Sequence, residues 1–318
     1  MATAYPYNAE TSSPPGDLYR RRESGSKEKP TESVAESESA GASSSDNDSS
    51  NSSSSSSALG KVLACAEIPN FNNGQADMDK FKITKDSWGK QYRAFVKDPA
   101  GGTNKVLEIT VPAGFYARSK DKGGTGFYAD PVGNKQFASN KDALYTFEYD
   151  IYFPQGFEWV KGGKLPGQYG GAGSGEACSG GKAAVDCFST RHMWRTNGMA
   201  ELYVYADKSA QSSQYKATCG KYCVDEYGDS LERGKYTFKA GQWTHVKQTI
   251  GLNTPGQQDG YLQVSYDNET AIDINTMVWR NTDFGVNGIM FQIFFGGSTA
   301  DWAPSSDQHI YFKNIKYM

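Results

Sequence analysis

Three short patterns carry the side chains best suited to chemistry. A glycine-rich run, GGKLPG, contains one cation, Lys164, while Ser189 and Arg191 stand two residues apart further along the chain. Tyr203 and Tyr205 repeat that spacing. Arginine can hold a carboxylate through two hydrogen bonds, lysine acts as a compact charge, and a tyrosine hydroxyl can give or take a proton. These side chains together suit proton transfer on an acidic ligand.

Strand geometry brings two of these patterns together. Strands are predicted at 188–195 and 200–206, and the Thr-Asn-Gly turn between them makes them hairpin partners. Side chains alternate between the two faces of a strand. One polar face of the hairpin then carries Ser189, Arg191, Met193, Arg195, Glu201, Tyr203 and Tyr205. The opposite face, with Phe188, Thr190, His192, Trp194, Leu202 and Val204, suits a core.

The elements that must position these residues are almost all strands. Strands are predicted at 105–111, 144–153, 188–195, 200–206, 245–250, 261–266, 289–295 and 309–317, with Gly, Asn, Asp and Pro between them. A short helix is predicted near 77–81. GGKLPG is predicted as a surface loop, and taken alone its lysine is favoured as a solvated side chain without a role. Many strands without alternating helices indicate an all-β protein, an antiparallel β-sandwich of the jelly-roll type.

The chain divides by composition near residue 60. Residues 1–60 are poor in apolar side chains and include six consecutive serines at 52–57, so we expect a disordered tail. Residues 61–318 are predicted to form one domain. The chain has a net charge of -3. The tail holds nine acidic and five basic residues, a net charge of -4, which leaves the domain at about +1 and near neutral. We therefore expect no nucleic-acid partner, and an acidic ligand would need a local basic patch.

Cysteine spacing indicates the compartment. Cys178 and Cys187 lie close together, as do Cys219 and Cys223, and no CxxC pattern is present. Two local disulfides with Cys65 left over are favoured over a zinc site, which indicates secretion although no signal peptide is visible. No run of transmembrane length occurs. We expect a monomer without a membrane partner.

The three chemical patterns together resemble polysaccharide lyase family fourteen. Lys164 in GGKLPG, the Ser189/Arg191 pair and the Tyr203/Tyr205 pair carry the resemblance, and the segments FEYDIYFP, STRHMWRTNG and FQIFFGG are also similar to that family. The resemblance covers roughly residues 140–300. It implies a jelly roll whose concave face cleaves a 4-linked uronate polymer, either glucuronan or alginate, by β-elimination.

The resemblance also implies roles for these residues. Lys164 and Arg191 would neutralise the uronate carboxylate so that the C5 proton becomes acidic, and Ser189 would donate a further hydrogen bond. Tyr205 or Tyr203 would take that proton and protonate the leaving O4 atom, because both sites lie on one side of a gluco- or mannuronate. Lys164 as the base is an alternative. No cofactor or metal is implied, because side chains supply the cations.

Other residues leave alternatives open. Arg195 and Gln292 are candidate substrate-binding residues, and Gln292 could equally be a core polar residue. Glu148 and Asp150 share a strand face and would suit a glycoside hydrolase, although an edge-strand charge pair is favoured. His192 is favoured as a core histidine. Three tryptophans could stack on sugars or be buried: Trp243, Trp279 and Trp302. A non-catalytic carbohydrate-binding module on the same fold remains the rival hypothesis.

Overall fold

Two antiparallel β-sheets pack face to face in a computed structural model that describes residues 65–119, 123–133, 141–172, 178–180, 184–223 and 226–318. The fold is a jelly-roll β-sandwich, as predicted. The predicted tail at 1–60 lies outside the described residues.

Fifteen strands make up the two sheets of the described chain. In chain order they are β1 (Ala66–Ile68), β2 (Ile83–Trp88), β3 (Arg93–Lys97), β4 (Lys105–Val111), β5 (Thr125–Ala129), β6 (Leu144–Tyr152), β7 (Gly162–Gly171), β8 (Cys187–Arg195), β9 (Ala200–Tyr205), β10 (Asp229–Leu231), β11 (Trp243–Gly251), β12 (Gly260–Tyr266), β13 (Glu269–Met277), β14 (Val286–Phe295) and β15 (Gln308–Tyr317). The eight strands predicted from sequence are all present, with ends that shift by at most a few residues.

The strands separate into a front sheet and a back sheet. The front sheet has seven strands in the order β10-β9-β8-β7-β14-β5-β2. The back sheet has the order β13-β12-β11-β6-β15-β4-β3, with β1 paired to β15 as its eighth strand. Alternate side chains of both sheets meet between them and form the core, as strand geometry requires. Phe188 and Trp194 of β8 and Phe147 and Ile151 of β6 are fully buried there.

The run predicted as a loop is instead strand β7, at the centre of the front sheet. The prediction was wrong because glycine usually indicates a turn, whereas here it allows the close approach of a neighbouring strand. A β-carbon added at Gly167 would lie 1.4 Å from the carbonyl oxygen of Thr190 on β8. The register of β7 against β8 shifts between Lys164 and Gly167, so the proline of GGKLPG falls in an irregularity of the ladder.

The interior of the sandwich contains polar groups as well as apolar ones. His192 is fully buried, as the core hypothesis requires, and its Nδ1 atom lies 2.9 Å from the hydroxyl oxygen of Tyr266. Burial lowers the pKa of His192 to about 3, so the ring is neutral. Gln168 is also fully buried and its amide donates to the carbonyl of Tyr145, at 3.2 Å. These side chains face the core and not the outer surface of the front sheet.

The helices are short. The helix predicted near 77–81 is an α-helix at Gln75–Met78 that continues as a 3-10 turn at Asp79–Phe81. A second α-helix, Ser213–Cys219, was not predicted; the hydroxyl of Ser212 caps it by accepting from the backbone N–H of Tyr215. No helix in the described part of the chain is long and apolar enough to cross a membrane.

The predicted disulfides are both present. Cys178 bonds to Cys187 and Cys219 bonds to Cys223, with Cα–Cα distances of 5.5 and 5.3 Å. Cys65 is a free, exposed thiol.

Candidate active site

A cleft of about 620 Å³ opens on the face of the front sheet that points away from the core. Among the described residues that line it, the charged ones are Arg118, Lys164, Arg191 and Arg195. No acidic side chain lines the cleft in the described ranges. A cavity with four cations and no lining carboxylate is electrostatically suited to an anionic ligand.

The predicted hairpin forms the floor of one half of this cleft. Strands β8 and β9 pair so that Arg191 lies opposite Tyr203 and Ser189 opposite Tyr205. Between the strands, the 3-10 turn Thr196–Gly198 has Asn197 at φ 60°, the left-handed conformation that Asn tolerates best after Gly. The turn chemistry therefore fixes the register that places the arginines and tyrosines side by side.

Lys164 reaches the cleft from β7, next to the hairpin. Leu165 after it is fully buried in the core, so alternation turns Lys164 outward. Its Nζ atom lies 2.8 Å from Met193 Sδ and 3.2 Å from the centre of the Tyr203 ring. Burial lowers the pKa of the Lys164 ammonium well below its usual range, and the charge of Arg191 lowers it further. The neutral amine is therefore a much larger fraction of Lys164 than of a surface lysine.

Arg191 is held in place while keeping a free donor. One terminal nitrogen donates to Gln292 Oε1 at 2.8 Å, and the guanidinium lies 5.8 Å from the Tyr205 ring centre. Its Nε atom has no hydrogen-bond partner among the described residues. A buried N–H without a partner costs free energy that a bound carboxylate would recover. Gln292 thus orients Arg191 from strand β14.

The two tyrosines lie side by side on β9. Their ring centres are 5.6 Å apart in an edge-to-face arrangement. Burial, assisted by Tyr205, raises the pKa of the Tyr203 hydroxyl above its usual value. Tyr203 therefore holds its proton under ordinary conditions and is suited to donate it to a strongly basic leaving oxygen.

One buried carboxylate compensates the cations behind the cleft. Glu201 is 1% exposed, and its two oxygens accept from Arg195 and from Arg233, each at 2.5 Å. The hydroxyl of Ser230 also donates to it. Sequence reasoning placed Glu201 on the polar face of the hairpin but gave it no role, and it missed Arg233 because that residue comes from a segment beyond β10. Arg195 is thereby restrained by an ion pair at the edge of the cleft.

The structure brings six of the seven predicted site residues to the cleft: Lys164, Arg191, Arg195, Tyr203, Tyr205 and Gln292. Ser189 is the exception. It is fully buried and its hydroxyl donates to the carbonyl oxygen of Cys178 at 2.6 Å, so it anchors the disulfide loop. The sequence pattern alone does not reveal this hydrogen bond.

The competing sites lie elsewhere or lack the required chemistry. Glu148 and Asp150 project from the outer face of the back sheet, and they belong to the central strand β6 and not to an edge as predicted. Among the described residues, the single cluster with metal-type ligands is Cys178, Asp186 and Cys187, and both thiols are consumed by the disulfide.

Aromatic side chains line the other half of the cleft. This aromatic wall consists of Trp88, Phe115, Phe294 and Trp302, all partly exposed. Trp302 was one of the predicted sugar-stacking candidates, whereas Trp279 is buried and Trp243 lies on the back sheet. Trp88 and Phe115 were missed because they come from segments far from the hairpin in sequence.

Comparison with known proteins gives a consistent result. The family described as polysaccharide lyase 14 matches residues 99–315. Among solved structures, the chain is similar to the PL-14 alginate lyase from Aplysia kurodai, with 31% identity and a TM-score of 0.68. That similarity covers 80% of this chain and 98% of the Aplysia protein.

More distant similarities extend the comparison. A variant of alginate lyase Aly36B in complex with an alginate tetrasaccharide has a TM-score of 0.60 and 21% identity, over 80% of this chain and 96% of that one, which shows a shared fold. Exolysin of Paramecium bursaria Chlorella virus 1 is 27% identical over 197 residues. That match takes in 53% of this chain and 28% of the viral protein.

Proposed function

The chain belongs to the polysaccharide lyase 14 family, and we propose that its cleft cleaves the mannuronate-rich regions of alginate by β-elimination. The observation that carries this proposal is the buried Lys164 amine beside Arg191 and Tyr203, in a cleft lined by cations without an acid. The similarity to an alginate lyase at 31% identity favours alginate over glucuronan.

Arg191 is the proposed carboxylate-binding residue. Gln292 accepts from one guanidinium nitrogen at 2.8 Å, and the unpartnered Nε atom is a further hydrogen-bond donor. A carboxylate bound here would be neutralised in a buried site, where charge interactions are stronger than in water. Neutralisation lowers the cost of the negative charge that develops when the adjacent C5 proton leaves.

Lys164 is the proposed base. Burial and the charges of Arg191 and Arg195 lower its pKa, which makes the neutral amine available to accept the C5 proton. This differs from the expectation that one tyrosine serves as both base and acid, because burial raises the pKa of Tyr203 and makes its phenolate costly. The alternative of a lysine base is therefore better supported.

A tyrosine, Tyr203 or Tyr205, is the proposed acid. As the C5–H bond breaks toward Lys164, its electrons form the C4=C5 double bond and the C4–O4 bond breaks. The tyrosine hydroxyl protonates the departing O4 atom. The proton on Lys164 then returns to the tyrosine, which restores both groups for the next cycle. Atoms and charge balance without a cofactor.

The placement of these groups bears on the substrate. Lys164, Tyr203 and Tyr205 all project from one face of the front sheet, so they reach a bound sugar from one side. In mannuronate and glucuronate the C5 hydrogen and the C4 oxygen lie on the same side of the ring. A base and an acid on one face therefore favour these sugars over guluronate, the C5 epimer of mannuronate.

The two disulfides also bear on where the protein acts. Disulfides persist in oxidising compartments, so we propose that the protein is secreted and meets its polymer outside the cell.

An absorbance assay tests the proposal. Polymannuronate, polyguluronate, glucuronan and a neutral glucan are incubated separately with the protein, and the ultraviolet absorbance of the unsaturated uronate is followed. We expect the fastest rise with polymannuronate and none with the glucan. In heavy-oxygen water the new chain ends should contain no solvent oxygen, after correction for reducing-end exchange. Cleavage that incorporates solvent oxygen would contradict elimination and favour hydrolysis, whereas binding without cleavage would favour a carbohydrate-binding module.

A further inference from the structure

We propose that the aromatic wall, Trp88, Phe115, Phe294 and Trp302, is a second sugar-binding subsite that stacks against the uronate next to the one being cleaved. This inference rests on the proposed function, because it takes the occupant to be a neighbouring unit of the same polymer. The wall and the cationic half line a single cleft, so the two subsites are continuous.

Each indole of the wall packs closely against a glycine. A β-carbon added at Gly126 would lie 2.2 Å from the Trp88 ring, and one added at Gly297 would lie 2.1 Å from the Trp302 ring. The lack of a side chain at these two glycines therefore leaves space for the rings. Each ring packs on its glycine, and both side chains remain partly exposed in the cleft. Such a ring can pack its open face against the C–H groups of a sugar.

The strand register places Trp88 in line with the carboxylate site. Gln292, which holds Arg191, lies opposite Gly126 on β5, and Gly126 lies opposite Trp88 on β2. Neighbouring strands are about 4.8 Å apart, so this row runs across the sheet for about 10 Å from Gln292 to Trp88. A polymer that binds one carboxylate at Arg191 and follows the row passes over Trp88.

The loops that carry the rest of the wall are fixed to each other. The backbone N–H of Gly114 donates to the carbonyl of Pro304 at 2.9 Å, and Ala117 donates to Gly296 at 3.4 Å. Lys161 pairs with Asp301 beside Trp302. A wall fixed in this way loses little conformational freedom on binding. Arg118, exposed on the same loop as Phe115, supplies a cation for the carboxylate of the adjacent uronate.

The test compares Trp88→Ala and Trp302→Ala with a matched control, Trp243→Ala. Trp243 is also partly exposed and packs on Tyr152 at 5.3 Å between ring centres, but it lies on the back sheet. KM and kcat are measured on polymannuronate. Affinity for a mannuronate tetrasaccharide is measured by calorimetry in the inactive Lys164→Met background, so that the ligand stays intact. Circular dichroism and melting temperature exclude misfolding.

Removal of either indole should raise KM and Kd about 10-fold, the loss expected for one aromatic contact, and kcat should stay within about twofold. Trp302→Phe should recover most of the affinity, and Trp243→Ala should change neither constant. Kd values for Trp88→Ala and Trp302→Ala that match the control would overturn the subsite. If the wild type binds the tetrasaccharide through these tryptophans but cleaves nothing, the lyase proposal fails and the subsite stands.

Discussion

The outer faces of the two sheets carry similar kinds of charged residues in opposite arrangements. On the back sheet, Glu148 pairs with Lys247 at 2.9 Å, and Asp150 lies 2.7 Å from His245. Each of these two carboxylates therefore has a basic partner near the surface. On the front sheet, Lys164 and Arg191 are buried in the cleft, and the carboxylate of Glu201 is engaged by Arg195 and Arg233.

These charged side chains of the back sheet are paired with each other, whereas Lys164 and Arg191 in the cleft remain available to a ligand. Balanced pairs near the surface contribute little to stability and would change the protein little if removed. Buried basic groups that no carboxylate contacts are costly in the free protein, and a bound anion would recover part of that cost. A hydrolase based on Glu148 and Asp150 would need carboxylates free to act, and both are already engaged.

The largest expected effect on activity comes from replacing Lys164, the buried amine of the front sheet. Lys164→Met keeps the length of the side chain and removes the amine, so activity on polymannuronate should fall by about 10³-fold or more. The same change should raise the melting temperature, because it replaces a buried polar amine with an apolar group. Rates and melting curves measured together check both effects.

The matched control for this variant lies on the back sheet. Glu148→Gln removes one partner of a partly exposed ion pair far from the cleft and should leave the rate unchanged within about twofold. A large loss of rate in Glu148→Gln with an active Lys164→Met would move the chemistry to the back sheet.

The second effect distinguishes the two tyrosines. Tyr203→Phe and Tyr205→Phe each remove one hydroxyl and keep the ring, so the variant that lacks the acid should lose about 10²-fold in kcat with a similar KM. The other should lose much less. Steady-state kinetics of both variants, with circular dichroism as a check on folding, provides the comparison. Near-normal kcat in both would show that the leaving oxygen is protonated by another group.

Much of this organisation could be predicted from local sequence. Period-two alternation identified the hairpin and its inward and outward faces, because one residue of slippage would have put Trp194 in solvent and Arg191 in the core. The strand β7 could not be identified, because glycine in a tight sheet and glycine in a loop look alike in one sequence. The burial of Ser189 could not be predicted either, because its hydroxyl donates to the carbonyl of Cys178 and that contact depends on the tertiary structure.

Contacts between residues from distant segments could not be predicted from local sequence patterns either. Trp88 joins the cleft only through the pairing of β2 with β5 and of β5 with β14. Arg233 reaches Glu201 from a segment after β10. The charge balance of the site therefore follows from topology. The arginine and tyrosines could be grouped by their spacing on the hairpin, whereas the lysine was identified only through the resemblance to a family.

The third effect contrasts two histidines. Burial lowers the pKa of His192 to about 3, below its value near 6.5 in the unfolded chain. The unfolded state therefore binds more protons between these values, and stability is lost as pH falls below 6.5. The loss is about 3 kcal/mol by pH 4. Denaturant unfolding across this range should show a steeper decline for the wild type than for His192→Phe.

His245 on the back sheet should behave in the opposite sense. Its hydrogen bond to Asp150 raises its pKa, so its contribution is fully present below the unfolded value and is lost as pH rises through the folded one. His245→Gln should therefore cost most stability at acidic pH. Equal pH slopes for the wild type and both variants would contradict this contrast.

The smallest effect on activity separates the two disulfides by their distance from the cleft. Cys178–Cys187 packs against Tyr205, and the carbonyl of Cys178 accepts the hydroxyl of Ser189 on the strand that carries Arg191. Cys219–Cys223 joins the end of the helix Ser213–Cys219 to the turn that follows it. Both close short loops, so the chain-entropy estimate gives each a similar stabilisation of about 2–3 kcal/mol.

Replacing either cysteine pair with serine should therefore lower the melting temperature by a similar amount. Only the Cys178→Ser/Cys187→Ser variant should also lose activity, about 3-fold to 10-fold, because the loop no longer supports Tyr205. The assay temperature must stay well below both melting temperatures, so that the difference reports the site and not unfolding. Equal activity in the two variants would show that β8 and β9 hold the tyrosine without the disulfide, and that the hairpin alone is sufficient to position the site.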